Sequence, residues 1–444
     1  MKRVVIFADI YQKNHESLYK NVTKNLPRDC YLDFIICNKI KLSHDETGQR
    51  NFLGTLAISI SITSVIVCGI LFLFKNPISS IYQSIKFYPY FSYTILTAFF
   101  MTYELIPKIT LQVKEKAQNY LFLSLVILFL RVMPAIWYVV FLKEGAVGML
   151  KGAMIGNGLT LIFLIPITLK QINLNFDFNI LKSTLKYCLP FIPMILSGWI
   201  VNMSDRIFIE QFYSTKEVGI YSLGYKIGEA VKFLSVSILM AYNPLFFKLA
   251  NSLDQKMAKD KLYKINNIIV LVVLYITFTV AFFSKDIIDT LFSSEYWESY
   301  KIIPIIALGL FFVQLISLQN LSFYQTKKTV TIMTLNVLAA IINIILNFLL
   351  ISRYSYFGAA VSTVITQALF FLIIYSVSKK HYFIKYNRRL LTPALLVFII
   401  SVTVSLIYIP VSPLWIFLKI CLVVTFGLVL YFRNKQLFNE ISIN

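Results

Sequence analysis

Residues 186–246 read KYCLPFIPMILSGWIVNMSDRIFIEQFYSTKEVGIYSLGYKIGEAVKFLSVSILMAYNPLF, and this stretch decides the fold class. It holds two apolar runs, Leu189 to Phe212 and Val218 to Phe246, each long enough to cross a hydrocarbon core that needs about 20 residues. Only a few polar residues join them, so the spacing predicts an antiparallel helical hairpin. Charges are embedded in both runs: Asp205, Arg206 and Glu210 in the first, Lys226, Glu229 and Lys232 in the second. An ionised group at the centre of a membrane helix costs about 2.5–3.5 kcal/mol on insertion scales, so such groups usually face protein or a wet cavity. The hairpin is therefore the first candidate for a functional surface.

The whole composition agrees with this reading. Of 444 residues 58% are hydrophobic, and the mean hydropathy is +0.72, well beyond the roughly half-apolar usage of soluble domains. The chain is expected to be all-α and polytopic, with about twelve transmembrane helices. Its net charge of +21 reads as loop topology, not nucleic-acid binding, because no basic tract with exposed aromatics lies in a segment able to fold as a nucleic-acid module. Cys30, Cys37, Cys68, Cys188 and Cys421 lack paired spacing, and His15, His44 and His381 lie in polar segments. No disulfide framework, metal site or cofactor is expected from them. Nor does the N-terminus carry an apolar run long enough for a signal peptide.

Residues 1–50 form a polar segment not expected to span the membrane. Beyond it the expected helices are Phe52 to Phe74, Tyr88 to Pro107, Asn119 to Leu142, Ala146 to Leu169, Leu189 to Phe212, Val218 to Phe246, Ile265 to Phe283, Ile302 to Tyr324, Val330 to Ile351, Tyr356 to Val377, Leu390 to Tyr408 and Pro413 to Phe432. They group into an N-terminal lobe at 51–170, a linker at 171–188, a C-terminal lobe at 189–380, and two further helices with a tail at 381–444. Lysine and arginine crowd into alternate connections, about 29 on one side against about eight on the other, which places both termini in the cytoplasm by the positive-inside rule.

The ordered pattern Pro190, Pro193, then Ser204-Asp205-Arg206, then Glu217-Val218-Gly219-Ile220-Tyr221-Ser222 and Tyr225-Lys226-Ile227 resembles the central signature of the polysaccharide-export flippases. These are the O-antigen and capsule repeat-unit translocases of the multidrug/oligosaccharidyl-lipid/polysaccharide exporter superfamily. The resemblance covers roughly residues 44–432. It implies a transporter, not an enzyme, that moves an undecaprenyl-diphosphate-linked oligosaccharide across the bacterial plasma membrane. It also implies H+ or Na+ as a coupling ion and polysaccharide polymerase machinery as a partner. Alternatives from the same hydrophobicity are a multidrug exporter of this fold, a membrane polysaccharide polymerase or ligase, and an inactive truncated flippase. The surplus of mid-helix cations argues against the drug exporter, and the lack of a long outer loop with catalytic charges argues against the polymerase.

An internal repeat orders the rest. A shift of 210 residues lays LFLFKN, ending at Asn76, on AFFSKD, ending at Asp286, lays Val113–Tyr120 on Phe323–Val330, and lays Gly148 on Gly358 and Lys170 on Lys380. Copies inserting with the same polarity predict parallel repeats, an arrangement in which transporters place the substrate at the repeat interface. By the same shift the hairpin's second helix would fall on residues 8–36, which are too polar to insert, and its first helix before Met1. The chain is thus expected to lack the first two of the family's fourteen helices. Residues 1–40 read either as a soluble cap or as the product of a truncated or frame-shifted reading frame.

No catalytic constellation emerges. Asp286, Asp289, Glu295 and Glu298 read as a solvated acidic loop. Asp205 and Lys226 lie at similar distances from the turn near Thr215, which leaves an Asp205–Lys226 or Arg206–Glu229 pair open. Lys226, Glu229 and Lys232 recur every third residue, so they share one helix face, expected to look inward. Arg131 and Lys232 fall near the midplane and suit a diphosphate, the first as a fork of donors and the second as a point charge. The candidate diphosphate cations are therefore Arg131, Lys232, Lys226 and Arg206. Asp205 and Glu229 are the candidate coupling or structural acids. Lys151 is expected to snorkel at the outer end of its helix, Glu104 to lie near the inner surface, and Asn202, Asn336, Asn343 and Asn347 to hold helices together.

Overall fold

The computed structural model describes residues 46–81, 85–114, 116–189, 192–326, 328–382, 385–387 and 412–433. All regular structure among them is helical, as the expected class requires. Eight described helices are long and apolar enough to cross a membrane by length and composition. The expected span Leu390 to Tyr408 lies outside the described residues. So do residues 1–45.

The described chain divides into two compact units, parting after Ile192. In the N-terminal unit, α1 is Glu46–Leu73, α2 is Lys75–Ile81 and α3 is Ser92–Met101. A single 3-10 turn, Thr102–Glu104, leads into α4, Leu105–Val113. Next come α5, Ala117–Ile136, carried on through Phe141, then α6, Gly145–Leu169, and α7, Phe178–Cys188. The third and fourth helices carry the expected span Tyr88 to Pro107 six residues further. Pro107 does not stop it because it stands in the first turn of α4, where its missing N–H is an orphan anyway. The expected linker contains α7, whose start is fixed by Asp177 accepting from the Asn179 and Ile180 amides.

Close packing of α5 on α6 follows from Gly152 and Gly156. A Cβ at Gly152 would stand 2.5 Å from Ala135 Cα, and one at Gly156 would stand 2.6 Å from the Leu130 carbonyl oxygen. Only hydrogen fits, so the two backbones approach as in a small-xxx-small membrane contact. That approach sets Arg131 on α5 directly against α6.

In the C-terminal unit, α8 is Ile192–Phe212. Ser214 caps α9, Thr215–Gly228, by accepting from Glu217 N–H, and α10 continues over Ala230–Ala250. Then follow α11, Gln255–Phe282, α12, Ser284–Leu291, α13, Ile303–Gln325, α14, Thr329–Ser378, and α15, Pro413–Arg433. The core centres on α11 and α13, with Leu262, Val273, Leu274, Ile306 and Phe311 buried. Gly224 and Gly228 let α9 press against Ile302 and Ile306, which sets the side chains of α9 used below.

The repeat is visible in backbone geometry. Helix α14 is two helices joined at Ser355, which has φ 49°, and 210 residues earlier Gly145 has φ 57° at the start of α6. The short helices α2 and α12 follow α1 and α11 at the same offset to within a residue. Each copy therefore breaks where the other does.

One sequence expectation is corrected here. The acids 286–298 do not form one solvated loop, because Asp286 is buried and its Oδ2 accepts a hydrogen bond from the equally buried Lys419 of α15. Lys419 Nζ also donates to the Phe282 carbonyl at 3.2 Å. A lysine in the last helix could not be matched with an acid 133 residues earlier from spacing alone. Asp289, half-buried beside them, has its carboxyl pushed up by burial. Glu295 and Glu298 are exposed, the latter paired with Lys301.

Removing one partner of a buried ion pair strands the other, so Lys419→Met is expected to cost about 3–5 kcal/mol in stability. The double change Lys419→Met with Asp286→Leu should recover most of that loss when both are compared by thermal unfolding in the same detergent.

Candidate functional site

The hairpin α8–α9 builds its site around Asp205, which is 1% exposed. Tyr221 donates its hydroxyl proton to Asp205 Oδ2. Arg206 Nη1 donates to Asp205 Oδ1 at 2.9 Å and to the Asn202 carbonyl at 2.7 Å. The guanidinium lies over the Tyr225 ring at 4.6 Å and the Tyr221 ring at 5.2 Å, while Tyr225 donates to Asn202 Oδ1 at 3.2 Å. Arg206 is thus held by a carboxylate on one edge and two rings on its face.

The alternative pairs expected from depth do not form. Lys226 instead bridges Glu229 at 3.1 Å, three residues along the same helix. The reason is angular: successive residues on a helix differ by about 100°, so when Tyr221 and Tyr225 point to Asp205 and Arg206, Lys226 points away. Its side chain is 80% exposed. Lys232 is also exposed, beside an exposed Phe233. The face carrying Lys226, Glu229 and Lys232 was expected to look inward, and on its own unit it is open, not packed into the core.

In the N-terminal unit Arg131 Nη2 lies 2.9 Å from Glu104 Oε2, and Lys108 Nζ lies 3.0 Å from the same oxygen. Glu104, expected near the inner surface, lies in the 3-10 turn between α3 and α4. Two cations share one carboxylate. Arg131 Nε and Nη2 are buried and make no hydrogen bond among the described residues, since the Glu104 contact is close but off the N–H direction. Lys151 pairs with Glu144 at 3.1 Å and stands 4.5 Å from the centre of the Tyr138 ring.

A second buried polar cluster joins α8 to both halves of α14. Ser204 donates to Asn343 Oδ1 at 3.3 Å, Asn347 donates to Ser204 at 3.1 Å, Ser362 donates to Asn347 Oδ1 at 2.6 Å, and Asn343 donates to Thr366 at 3.3 Å. Asn343 and Asn347 therefore do hold helices together, whereas Asn336 donates only to its own helix at Ile332. Ser204, Tyr221 and Tyr225 stand in the quoted hairpin pattern without a role assigned to them, and Ser362 and Thr366 carry no sequence expectation. The i, i+4 spacing of 343/347 and of 362/366 within apolar helices was the available signal.

Comparison with known proteins bears on what such a helical pair of units is for. A family model described as "Polysaccharide biosynthesis protein" matches residues 41–301. The chain belongs to this family. No curated protein matches it. Among solved structures, the fold of this family member is similar to that of a lipid II flippase MurJ in an inward closed conformation, at a TM-score of 0.68 and 17% identity over 93% of this chain and 88% of that one. It is also similar to an inward-facing multidrug resistance MATE family transporter of the MOP superfamily, at 0.58 and 14% over 78% and 86%. A mutant form of the Vibrio cholerae MATE transporter VcmN matches at 0.53 and 13% over 78% and 81%. At these identities the likeness shows the fold alone, and with the eight apolar helices it makes the chain a multi-pass membrane protein.

The two ion pairs of the hairpin should differ sharply in weight. Asp205→Ala leaves Tyr221 without its acceptor and Arg206 without its counter-charge, with only the Asn202 carbonyl remaining, and is expected to cost about 3–5 kcal/mol. Lys226→Ala breaks an exposed bridge and should cost no more than about 1 kcal/mol. Chemical unfolding of the two variants in one detergent measures the contrast.

Proposed function

We propose that this member of the polysaccharide biosynthesis family is a flippase, not an enzyme, carrying undecaprenyl-diphosphate-linked oligosaccharide repeat units across the bacterial plasma membrane for O-antigen or capsule synthesis. The observation that carries the reading is Arg131. Arg131 is half-buried in the N-terminal unit with its Nη2 paired to Glu104, while its buried Nε makes no hydrogen bond among the described residues; such a donor leaves about 1–3 kcal/mol of desolvation unrecovered, and a diphosphate oxygen is an acceptor that recovers it. Lys108 and Arg131 share one carboxylate, so the group is one charge in surplus, which suits an anion. A cationic drug would meet repulsion there.

The other cations take graded roles. Lys232, exposed and without a carboxylate on its own face beyond Glu229, offers a mobile charge to the head group. Lys226 is partly neutralised by Glu229 and Arg206 by Asp205, so both serve the sugar-bearing part through hydrogen bonds more than through net charge. Asp205 spends its oxygens on Tyr221 and Arg206 and is assigned to structure. Glu229, half-buried on the open face, is the better candidate for coupling to H+ or Na+. Both termini lie in the cytoplasm on this reading, and polysaccharide polymerase machinery takes the product on the far side.

Deletion of the gene should cause lipid-linked repeat units to accumulate on the cytoplasmic face. Arg131→Ala is expected to restore less than a tenth of export and Arg131→Lys an intermediate level, because a point charge replaces the fork. Full restoration by a normally expressed Arg131→Ala protein would remove the proposed site.

A further inference from the structure

A groove of about 300 Å³ runs within the N-terminal unit between α1, the α3–α4 break and α6. Ala57, Ser61, Thr102, Ile106, Leu164 and Thr168 are among its walls. Of the four hydroxyl residues in its walls, Ser61 donates to Ala57, Thr102 to Phe99 and Thr168 to Leu164, at 2.8, 2.8 and 2.9 Å, and the fourth is Tyr103. Apart from Tyr103 the wall is apolar or already hydrogen-bonded, and an apolar chain fits it.

One end of the groove is built differently. Segment 172–177, whose Ile172 and Leu174 also line the groove, is tied to the first turns of α1. Asn173 N–H donates to the Arg50 carbonyl at 3.1 Å, its side-chain amide donates to Asn51 Oδ1 at 3.0 Å, and Thr55 donates to the Asn175 carbonyl at 3.2 Å. These bonds hold Arg50 beside the groove's end, and Lys170 follows directly on the lining residue Leu169. Both cations are exposed. From Arg50 to the lining residue Ile62, twelve residues of helix extend about 18 Å, close to half of a hydrocarbon core about 30 Å thick. The groove thus has one leaflet's length, with its charged mouth on the basic side of the chain. Glu104, which pairs with Arg131, lies one residue beyond Tyr103 at the deep end.

We propose that this groove is a loading site for the polyprenyl chain of the lipid-linked substrate, with Arg50 and Lys170 holding the diphosphate at the cytoplasmic surface before it moves to Arg131. Two cations at one mouth match a diphosphate better than the single charge of a phospholipid. The choice of occupant rests on the flippase reading; the amphiphile chemistry, an apolar chain with an anionic head, rests on the groove itself.

The test uses the full chain in phosphatidylethanolamine nanodiscs and a polyprenyl diphosphate carrying a photoreactive diazirine in its chain. Labelling is expected on peptides spanning 57–62 and 161–174, competed by unlabelled polyprenyl diphosphate and not by an equal excess of phosphatidylglycerol. Arg50→Gln with Lys170→Gln should reduce it at least fivefold, and Ser61→Trp should block the groove. Equal competition by phosphatidylglycerol, or labelling indifferent to all three substitutions, overturns the site. Saturable labelling confined to the Arg131 peptide overturns the groove and leaves the flippase reading standing; no saturable labelling anywhere overturns both.

Discussion

Hydrocarbon offers no partner to a polar group, so every charge carried into the membrane must find its counterpart in the chain or in the cargo. This constraint organises the molecule. Asp205 meets Arg206 and Tyr221, Lys419 meets Asp286, Lys151 meets Glu144, and the amides of Asn343 and Asn347 meet Ser204, Ser362 and Thr366. Arg131 stands apart, since Glu104 beside it is shared with Lys108 and its buried Nε makes no hydrogen bond among the described residues. A group that the fold leaves unsatisfied at this cost is where a charged ligand gains most.

The glycines make the constraint workable. Where α5 crosses α6, Gly152 and Gly156 bring the backbones close, and that contact fixes the part of α5 that carries Arg131. In the C-terminal unit Gly224 and Gly228 do the same for α9 against Ile302 and Ile306, which turns Tyr221 and Tyr225 toward Asp205 and Arg206 while Lys226 is left outside. Packing without a side chain at these positions thus fixes how the neighbouring charged side chains are directed.

Much of the fold was legible because membrane spans and their order depend on long averages. Among the described residues apolar runs gave the spanning helices, with ends displaced by up to ten residues where α11 starts at Gln255 and not Ile265, and the 210-residue shift anticipated the paired breaks at Gly145 and Ser355. Individual partners were less legible. Depth along a hairpin allowed Asp205–Lys226, but helix rotation decided for Asp205–Arg206. Asp286 looked like part of a solvated loop because its partner, Lys419, comes from a helix near the chain's end. The apolar groove was invisible, since its walls come from three separated segments and no residue in them is unusual alone.

The central claim is that Arg131 accepts the anionic head of a lipid. It is tested most directly by the equilibrium affinity of the purified protein in nanodiscs for a polyprenyl-diphosphate oligosaccharide, set beside that of the Arg131→Ala protein at the same salt concentration. At least tenfold weaker binding by the variant, corresponding to about 1.4 kcal/mol, is the result the account predicts. Equal affinity of the two proteins would contradict it.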